Sequence, residues 1–238
     1  MNMKRLRLLP ALIGALLTTT SQMGQAATKS APATLEETLR SYDESALTGA
    51  LEQLSSSKAN NLNRHIVRGK TLFRLGFIQE LKGEKKEARE SLEAAAEEYT
   101  KALAMDTSSF EALAGRAMAY QRLSTFGFSA GASFGPKALK DLKKMRENRP
   151  NHHYTRFMDS YMKLMAPALF GGDVAEALEG FEQLRKEFPN DPDFPVYVAK
   201  AHAKMKGGEN TAREIIDSVL TRSPDNLFAK HVKEEYKL

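Results

Sequence analysis

Few side chains in this sequence are placed to do covalent chemistry. His152-His153 follows Pro150-Asn151 and offers two imidazoles, but a metal needs a third ligand at a defined spacing and none is identifiable. The pair reads as helix-opening residues, and His65, His202 and His231 are isolated. There is no cysteine, which removes a thiol nucleophile, thiolate metal sites and a disulfide framework together. Gly171-Gly172-Asp173 resembles a short anion loop only in its glycines. Those glycines serve a turn, and Asp173 suits the N-cap of the next helix. No nucleophile–base–acid set or pair of carboxylates stands out, because Asp and Glu are interleaved with Lys and Arg along helix faces. The residues assign no catalytic role, no metal and no cofactor, and the chain is read as a non-enzyme.

What the sequence does offer is apolar binding chemistry. Tyr154, Phe157, Met158, Tyr161, Met162, Leu164 and Met165 lie within one short stretch. At helical spacing Phe157, Tyr161 and Leu164 form one stripe, the pattern of ordinary core. Met158, Met162 and Met165 form a second stripe, and methionine suits surfaces that accept variable apolar partners. Two uncharged, apolar segments flank this stretch. One runs from Ser124 to Gly135 and carries Phe126, Phe128 and Phe134; the other runs from Ala166 to Phe170. The expectation is a groove lined by Met158, Met162 and Met165, with Phe126, Phe128, Phe134 and Phe170 as its lip. The competing expectation is that these loops fold back over the core and that the helix is buried on both sides.

The elements that would hold such a groove repeat along the chain. A small residue, a bulky one four later, an apolar one three after that and a helix stop five further on recur four times. The sets are Ala95, Tyr99, Ala102 and Thr107; Ala138, Leu142, Met145 and Pro150; Ala177, Phe181, Leu184 and Pro189; and Ala212, Ile216, Val219 and Pro224. The alanine lets two helices of a hairpin approach closely, the bulky residues fill the space between hairpins, and proline ends the helix. The frame resembles the second helix of the tetratricopeptide repeat family, whose period is about 34 residues. Leu113, Ala117 and Tyr120 fit the first helix of such a unit, but Arg116 replaces the usual leucine and the family's tryptophan is missing.

The expected fold is therefore all-α, a tetratricopeptide-like α-solenoid of about four helical hairpins with N- and C-terminal capping helices. Asn61–Lys82 pairs with Glu84–Met105, Ser109–Leu123 with Pro136–Arg146, His152–Met165 with Val174–Glu187, and Asp193–Lys206 with Asn210–Thr221. Ala33–Ser56 forms the N-terminal helical segment, broken near Thr48-Gly49, and Asn226–Tyr236 the polar C-terminal cap. The second and third units exceed the family period by roughly nine and five residues, and the surplus falls between the helices of each hairpin. In a solenoid, insertions at the same turn of consecutive units lie side by side on one edge.

Within that family, Met165-Ala166-Pro167-Ala168-Leu169-Phe170-Gly171-Gly172-Asp173 followed by Ala177 and Phe181 resembles the T component of periplasmic tetratricopeptide-associated TRAP transporters. The resemblance implies an exported protein with an apolar cavity that partners a solute-binding protein, delivery of a small hydrophobic organic acid to a permease, and self-association. Members that are lipoproteins carry an anchoring cysteine, which this chain lacks.

Export is also expected from the first residues. Lys4, Arg5 and Arg7 precede the apolar Leu8–Leu17, and Gly24-Gln25-Ala26 offers small residues for signal peptidase, so residues 1–26 read as a signal peptide and 27–60 as a disordered tail with the N-terminal cap. The apolar run is too short to span a bilayer, which needs about 20 residues. The array then covers 61–224 and the terminal cap 225–238. Three of the positive charges behind the net +5 belong to the leader, and the rest of the chain interleaves Lys with Glu, so no nucleic-acid face is expected. The expected setting is the periplasm, without a stable membrane anchor after cleavage. The expected partner is another envelope protein, a small hydrophobic ligand, or both; a purely structural envelope scaffold is the alternative.

Overall fold

The computed structural model describes residues 34–56 and 60–238; the expected signal peptide, its cleavage site and the tail to residue 33 lie outside them. Every regular element among the described residues is helical: α1 (Leu35–Arg40), α2 (Glu44–Ser56), α3 (Leu62–Leu81), α4 (Lys85–Met105), α5 (Phe110–Leu123), α6 (Phe128–Asn148), α7 (His153–Met165), a 3-10 turn (Ala168–Phe170), α8 (Val174–Glu187), α9 (Phe194–Lys204), α10 (Glu209–Arg222) and α11 (Leu227–Tyr236). The pairs α3–α4, α5–α6, α7–α8 and α9–α10 are the four expected hairpins.

The repeat frame accounts for the packing. All twelve of its apolar positions, from Ala95, Tyr99 and Ala102 to Ala212, Ile216 and Val219, are buried. Helices α6, α8 and α10 end at Asn148, Glu187 and Arg222, each two residues before the proline of its set, because proline disfavours helical backbone in the residue before it. Polar side chains start the helices: Asn61, Ser109, Asp173 and Asn226 accept from the backbone N–H three residues on. Arg116, at the place of a family leucine, makes a two-armed ion pair with the buried Asp141 at 2.8 and 2.9 Å and so ties α5 to α6. In the long first hairpin the small–bulky–apolar offsets occur twice on α4, as Ala88, Leu92 and Ala95 and again as Ala95, Tyr99 and Ala102. Gly76 and Gly69 of α3 face the two bulky members, and a Cβ at either would stand 2.8 Å from Leu92 or the Tyr99 ring.

Two boundaries differ from expectation. The N-terminal segment breaks at Ser41–Asp43, not at Thr48-Gly49; Asp43 accepts from the N–H of Ala46 to start α2, and Tyr42 leaves the helix to reach Asp193. The segment Ser124–Gly135 is not a loop. From Phe128 onward it is the first two turns of α6, which continues through Pro136; that residue forfeits one main-chain hydrogen bond while the surrounding turns persist. The extra residues lengthened a helix, so its phenylalanines are spread along α6.

The array returns on itself. Phe228 of α11 packs edge-on against Phe77 of α3, ring centroids 5.3 Å apart, and Leu227 joins the cluster of Leu47, Leu75 and Ile78. The C-terminal helix thereby meets the first hairpin, and a half-open cavity lies among the first helices.

The frame also fixes which alanines tolerate bulk. Ala177 has no exposed surface, whereas Ala175 on the same helix is exposed. Ala177→Leu is expected to lower stability by about 1–3 kcal/mol through overpacking. Ala175→Leu should leave the urea midpoint nearly unchanged, so equal midpoints for the two variants would contradict the register.

Candidate functional site

The central cavity, of about 410 Å³, is lined almost entirely by first helices of the hairpins. Helix α3 contributes Lys70, Phe73, Arg74 and Phe77; α5 contributes Glu111, Gly115, Met118, Gln121 and Arg122; α7 contributes His153, Tyr154, Phe157, Met158 and Tyr161; and α9 contributes Phe194 and Tyr197. Tyr99 enters from α4, Phe188, Asp191 and Asp193 from the α8–α9 turn, and Leu39 and Arg40 from α1. The volume suits a small organic molecule.

Aromatic rings make a continuous wall. Phe188 neighbours Phe194 at 5.8 Å, Phe194 neighbours Phe157 at 6.3 Å, and Phe157 meets Tyr197 at 5.2 Å and Tyr161 at 6.0 Å. Tyr99 is clasped between helices because Gly69 and Gly115 carry no side chain: a Cβ at Gly115 would stand 2.2 Å from the ring. Burial pushes the phenols of Tyr99, Tyr154, Tyr161 and Tyr197 up, so all four remain neutral hydroxyl donors. The hydroxyls of Tyr99, Tyr154 and Tyr161 have no hydrogen-bond partner among the described residues, and none is sealed in the protein interior; they open onto the cavity.

The charged groups of the lining come mostly in pairs. Arg74 donates to Asp193 at 2.7 Å and to the carbonyls of Ser41 and Arg40, each at 3.1 Å; Tyr42 donates to the other oxygen of Asp193 at 2.5 Å, and the guanidinium lies 4.3 Å over the Tyr42 ring. This knot joins the N-terminal segment to the last hairpin across one side of the cavity. Lys70 pairs with Glu111, and Arg40 with Glu36.

Arg122 is different in kind. It is 9% exposed, lies over Phe77 at 4.0 Å from the ring centroid, and donates to Glu80 through Nη1 at 2.6 Å. Burial works against its charge, but Glu80 more than offsets this and holds the guanidinium above its ordinary pKa, so it stays cationic. No second carboxylate reaches it among the described residues, and the Tyr197 hydroxyl is the other oxygen within its reach. The guanidinium stands beside the phenols of Tyr161 and Tyr197, forming a cluster of donors at one end of an apolar chamber. At the other side His153 packs on Phe188 at 4.9 Å. Burial, then the adjacent His152, hold it below the ordinary imidazole range, so at neutral pH it meets the cavity as an uncharged ring.

The structure redistributes the residues expected from sequence. Met158 is 1% exposed and belongs to the cluster of Leu142 and Met145, touching the cavity wall from behind; Met162 is half-buried against the same cluster and Met165 sits at the helix end, 36% exposed. The methionine stripe therefore faces α6, and the stripe expected to be plain core, Phe157 and Tyr161, faces the cavity. The lip is corrected too. Phe126 is half-buried in the α5–α6 turn, Phe128 is 94% exposed, and Phe134 stacks on Tyr120 with Lys137 over its ring, so these three lie outside the central cavity. Phe170 lies in the 3-10 turn between α7 and α8. That turn explains Gly171-Gly172 without an anion: Gly171 has φ +84°, and a Cβ on Gly172 would stand 1.8 Å from the Ala166 carbonyl oxygen. Sequence reasoning passed over Phe73, Phe77, Arg122, Asp191, Phe194 and Tyr197. Their signal was available as aromatic residues three or four apart on first helices, with an arginine at the same face.

Architecture and cavity together define an α-solenoid of helical hairpins whose first helices line a central cavity. Residues 70–102 and 158–191 match the sequence profile of the tetratricopeptide repeat family, so the hairpins they form are tetratricopeptide-type repeats. Two solved structures are similar in outline. One is YrrB, a tetratricopeptide-repeat protein whose structure is described as having an unusual peptide-binding site (17% identity, 86% of this chain and 100% of that chain, TM-score 0.39). The other is a tetratricopeptide repeat protein from Parabacteroides merdae (19% identity, 85% of this chain and 91% of that chain, TM-score 0.37). No curated protein matches the sequence.

Proposed function

We propose that this protein is an exported binding protein which seats a small, mainly apolar molecule with an acidic or carbonyl head group at the centre of its repeat array. The observation that carries this reading is the buried Arg122, still cationic, paired with Glu80 through one nitrogen and otherwise beside only the Tyr161 and Tyr197 phenols on an aromatic wall. A buried charge with one partly exposed carboxylate partner and only phenols beside it favours a further acceptor from outside the chain, and an apolar wall favours the rest of such a ligand. Tetratricopeptide proteins generally serve as interaction scaffolds rather than enzymes, and a partner in the cell envelope fits that role. Phe128 and Leu169 supply a face for it: they are 94% and 89% exposed, and both follow the C-terminal end of a first helix, which puts them on one edge of the solenoid. With the leader of residues 1–26 and the segment from Met165 to Asp173, the particular setting we infer is the periplasm, beside a TRAP-type solute-binding protein.

The test uses the mature chain and the apolar anion 1-anilinonaphthalene-8-sulfonate. Native protein is expected to enhance the dye's fluorescence at a single site, and octanoate should displace it. Met118 is half-buried on the cavity wall, so Met118→Phe narrows the chamber without adding a polar atom. That variant should lose dye binding at least tenfold while its melting temperature stays within a few degrees. Enhancement that survives the substitution would place the dye elsewhere and leave the scaffold reading in front.

A further inference from the structure

Resting on that reading, one more group in the cavity narrows the ligand. Among the charged residues of the lining, Arg40, Lys70, Arg74 and Arg122 each have a carboxylate partner within ion-pair distance: Glu36, Glu111, Asp193 and Glu80. Asp191 has none among the described residues. Its Oδ1 accepts the N–H of Asp193 at 2.9 Å, forming the turn that leads into α9, and its Oδ2 accepts nothing. The group is half-buried, and burial, followed by the neighbouring Asp193, raises its pKa. Its free oxygen has no donor among the described residues and opens onto the cavity, while Arg40 and Arg74 already supply opposite charge in its field.

The position of Asp191 gives this vacancy a direction. Its own N–H donates to the carbonyl of Phe188 at 3.1 Å, so it sits where the ring wall begins. The wall then passes from Phe188 to Phe194, Phe157 and Tyr197, and ends at the donors of Arg122. Arg74 and Arg122 lie over the same Phe77 ring, at 5.5 and 4.0 Å, and Arg74 donates to Asp193. The aromatic wall thus runs between two polar groups of opposite hydrogen-bonding sense, a donor at Arg122 and an acceptor at Asp191.

We propose that the ligand is an apolar molecule with an acidic head at one end and a hydroxyl at the other, and that Asp191 selects it by accepting the hydroxyl's hydrogen bond. A hydroxyl meets the missing contact without adding a cation beside Arg40 and Arg74. A hydrogen bond to an ionised group is among the stronger neutral-to-charged contacts, so the gain is measurable. An ordinary fatty acid would fill the same space and leave Asp191 unmatched.

The experiment compares octanoate, decanoate and dodecanoate with their ω-hydroxy counterparts by calorimetry, on the wild-type mature protein and on Asp191→Asn. Asparagine keeps an acceptor oxygen for the Asp193 N–H, so the turn and the fold persist, but it removes the carboxylate. For at least one chain length the hydroxy acid is expected to bind wild type roughly tenfold more tightly than the plain acid. In Asp191→Asn that ratio should fall to about one or below, whatever common gain both series take from the loss of a negative charge in the lining. If the plain acids bind wild type and every hydroxy acid binds equally or more weakly, Asp191 serves only the turn and this inference is overturned while the cavity reading stands. If the preference persists in Asp191→Asn, the selecting residue is another and the assignment is overturned. If neither series binds, the cavity reading falls and takes this inference with it.

Discussion

Asp193→Ala is expected to lower the stability of the folded protein by about 3–5 kcal/mol, the range for removing one member of a buried ion pair. Arg74 is only 8% exposed, and its charge is offset by Asp193 at 2.7 Å. Two backbone carbonyls would remain to it, which satisfy donors but carry no net charge. The same change strands the Tyr42 hydroxyl, whose pKa burial and Asp193 raise together, and so loosens the N-terminal segment from the last hairpin. The measurement is a urea midpoint at neutral pH, together with hydrogen exchange over α1 and α2, which should accelerate more than exchange over α7 and α8. The pair Arg74→Met with Asp193→Ala should recover part of the loss, because an apolar replacement removes the unmatched charge. A single-variant loss below about 1 kcal/mol would mean that the two side chains are effectively hydrated and that the knot does not hold the ring closed.

The helical hairpins were legible because their signal is local. Ala177, Phe181, Leu184 and Pro189 declare a helix face and a stop within thirteen positions, and nothing distant alters what a buried alanine or a helix-ending proline means. The cavity was harder, since its residues come from four first helices and from a turn, and no short window contains them. Helix α7 shows the difficulty. Its aromatic and methionine stripes are both apolar, so periodicity alone does not say which faces α6 and which faces the centre; the closure of α11 onto α3 decides that. Ser124–Gly135 misled for another reason. Its glycines and serines carry loop propensity, yet a helix already anchored by Ala138, Leu142 and Met145 can extend backward through Pro136 at the loss of one hydrogen bond. Asp193 and Tyr42 stand 151 positions apart, and their contact has no trace in either local sequence.

Arg122→Met is expected to weaken binding of octanoate or its longer homologues by roughly 10- to 100-fold, the equivalent of about 1.5–3 kcal/mol for hydrogen bonds to a charged group. Methionine keeps the apolar contact with Phe77 and adds no polar atom. Its cost to folding should be modest, about 1 kcal/mol, because the lost partner Glu80 has 31% of its side chain exposed and can be hydrated once freed. The corresponding alcohol, octanol, serves as control: it fills the same volume without a charge and should bind the variant and the wild type alike. Glu80→Gln supplies the opposite sign. That change removes the carboxylate which now competes for Arg122, so affinity for octanoate should rise while affinity for octanol stays level. Equal losses of octanoate and octanol in Arg122→Met would show that the arginine shapes the chamber without reading the head group. An unchanged octanoate affinity in both variants would move the anionic end of the ligand away from Arg122 altogether.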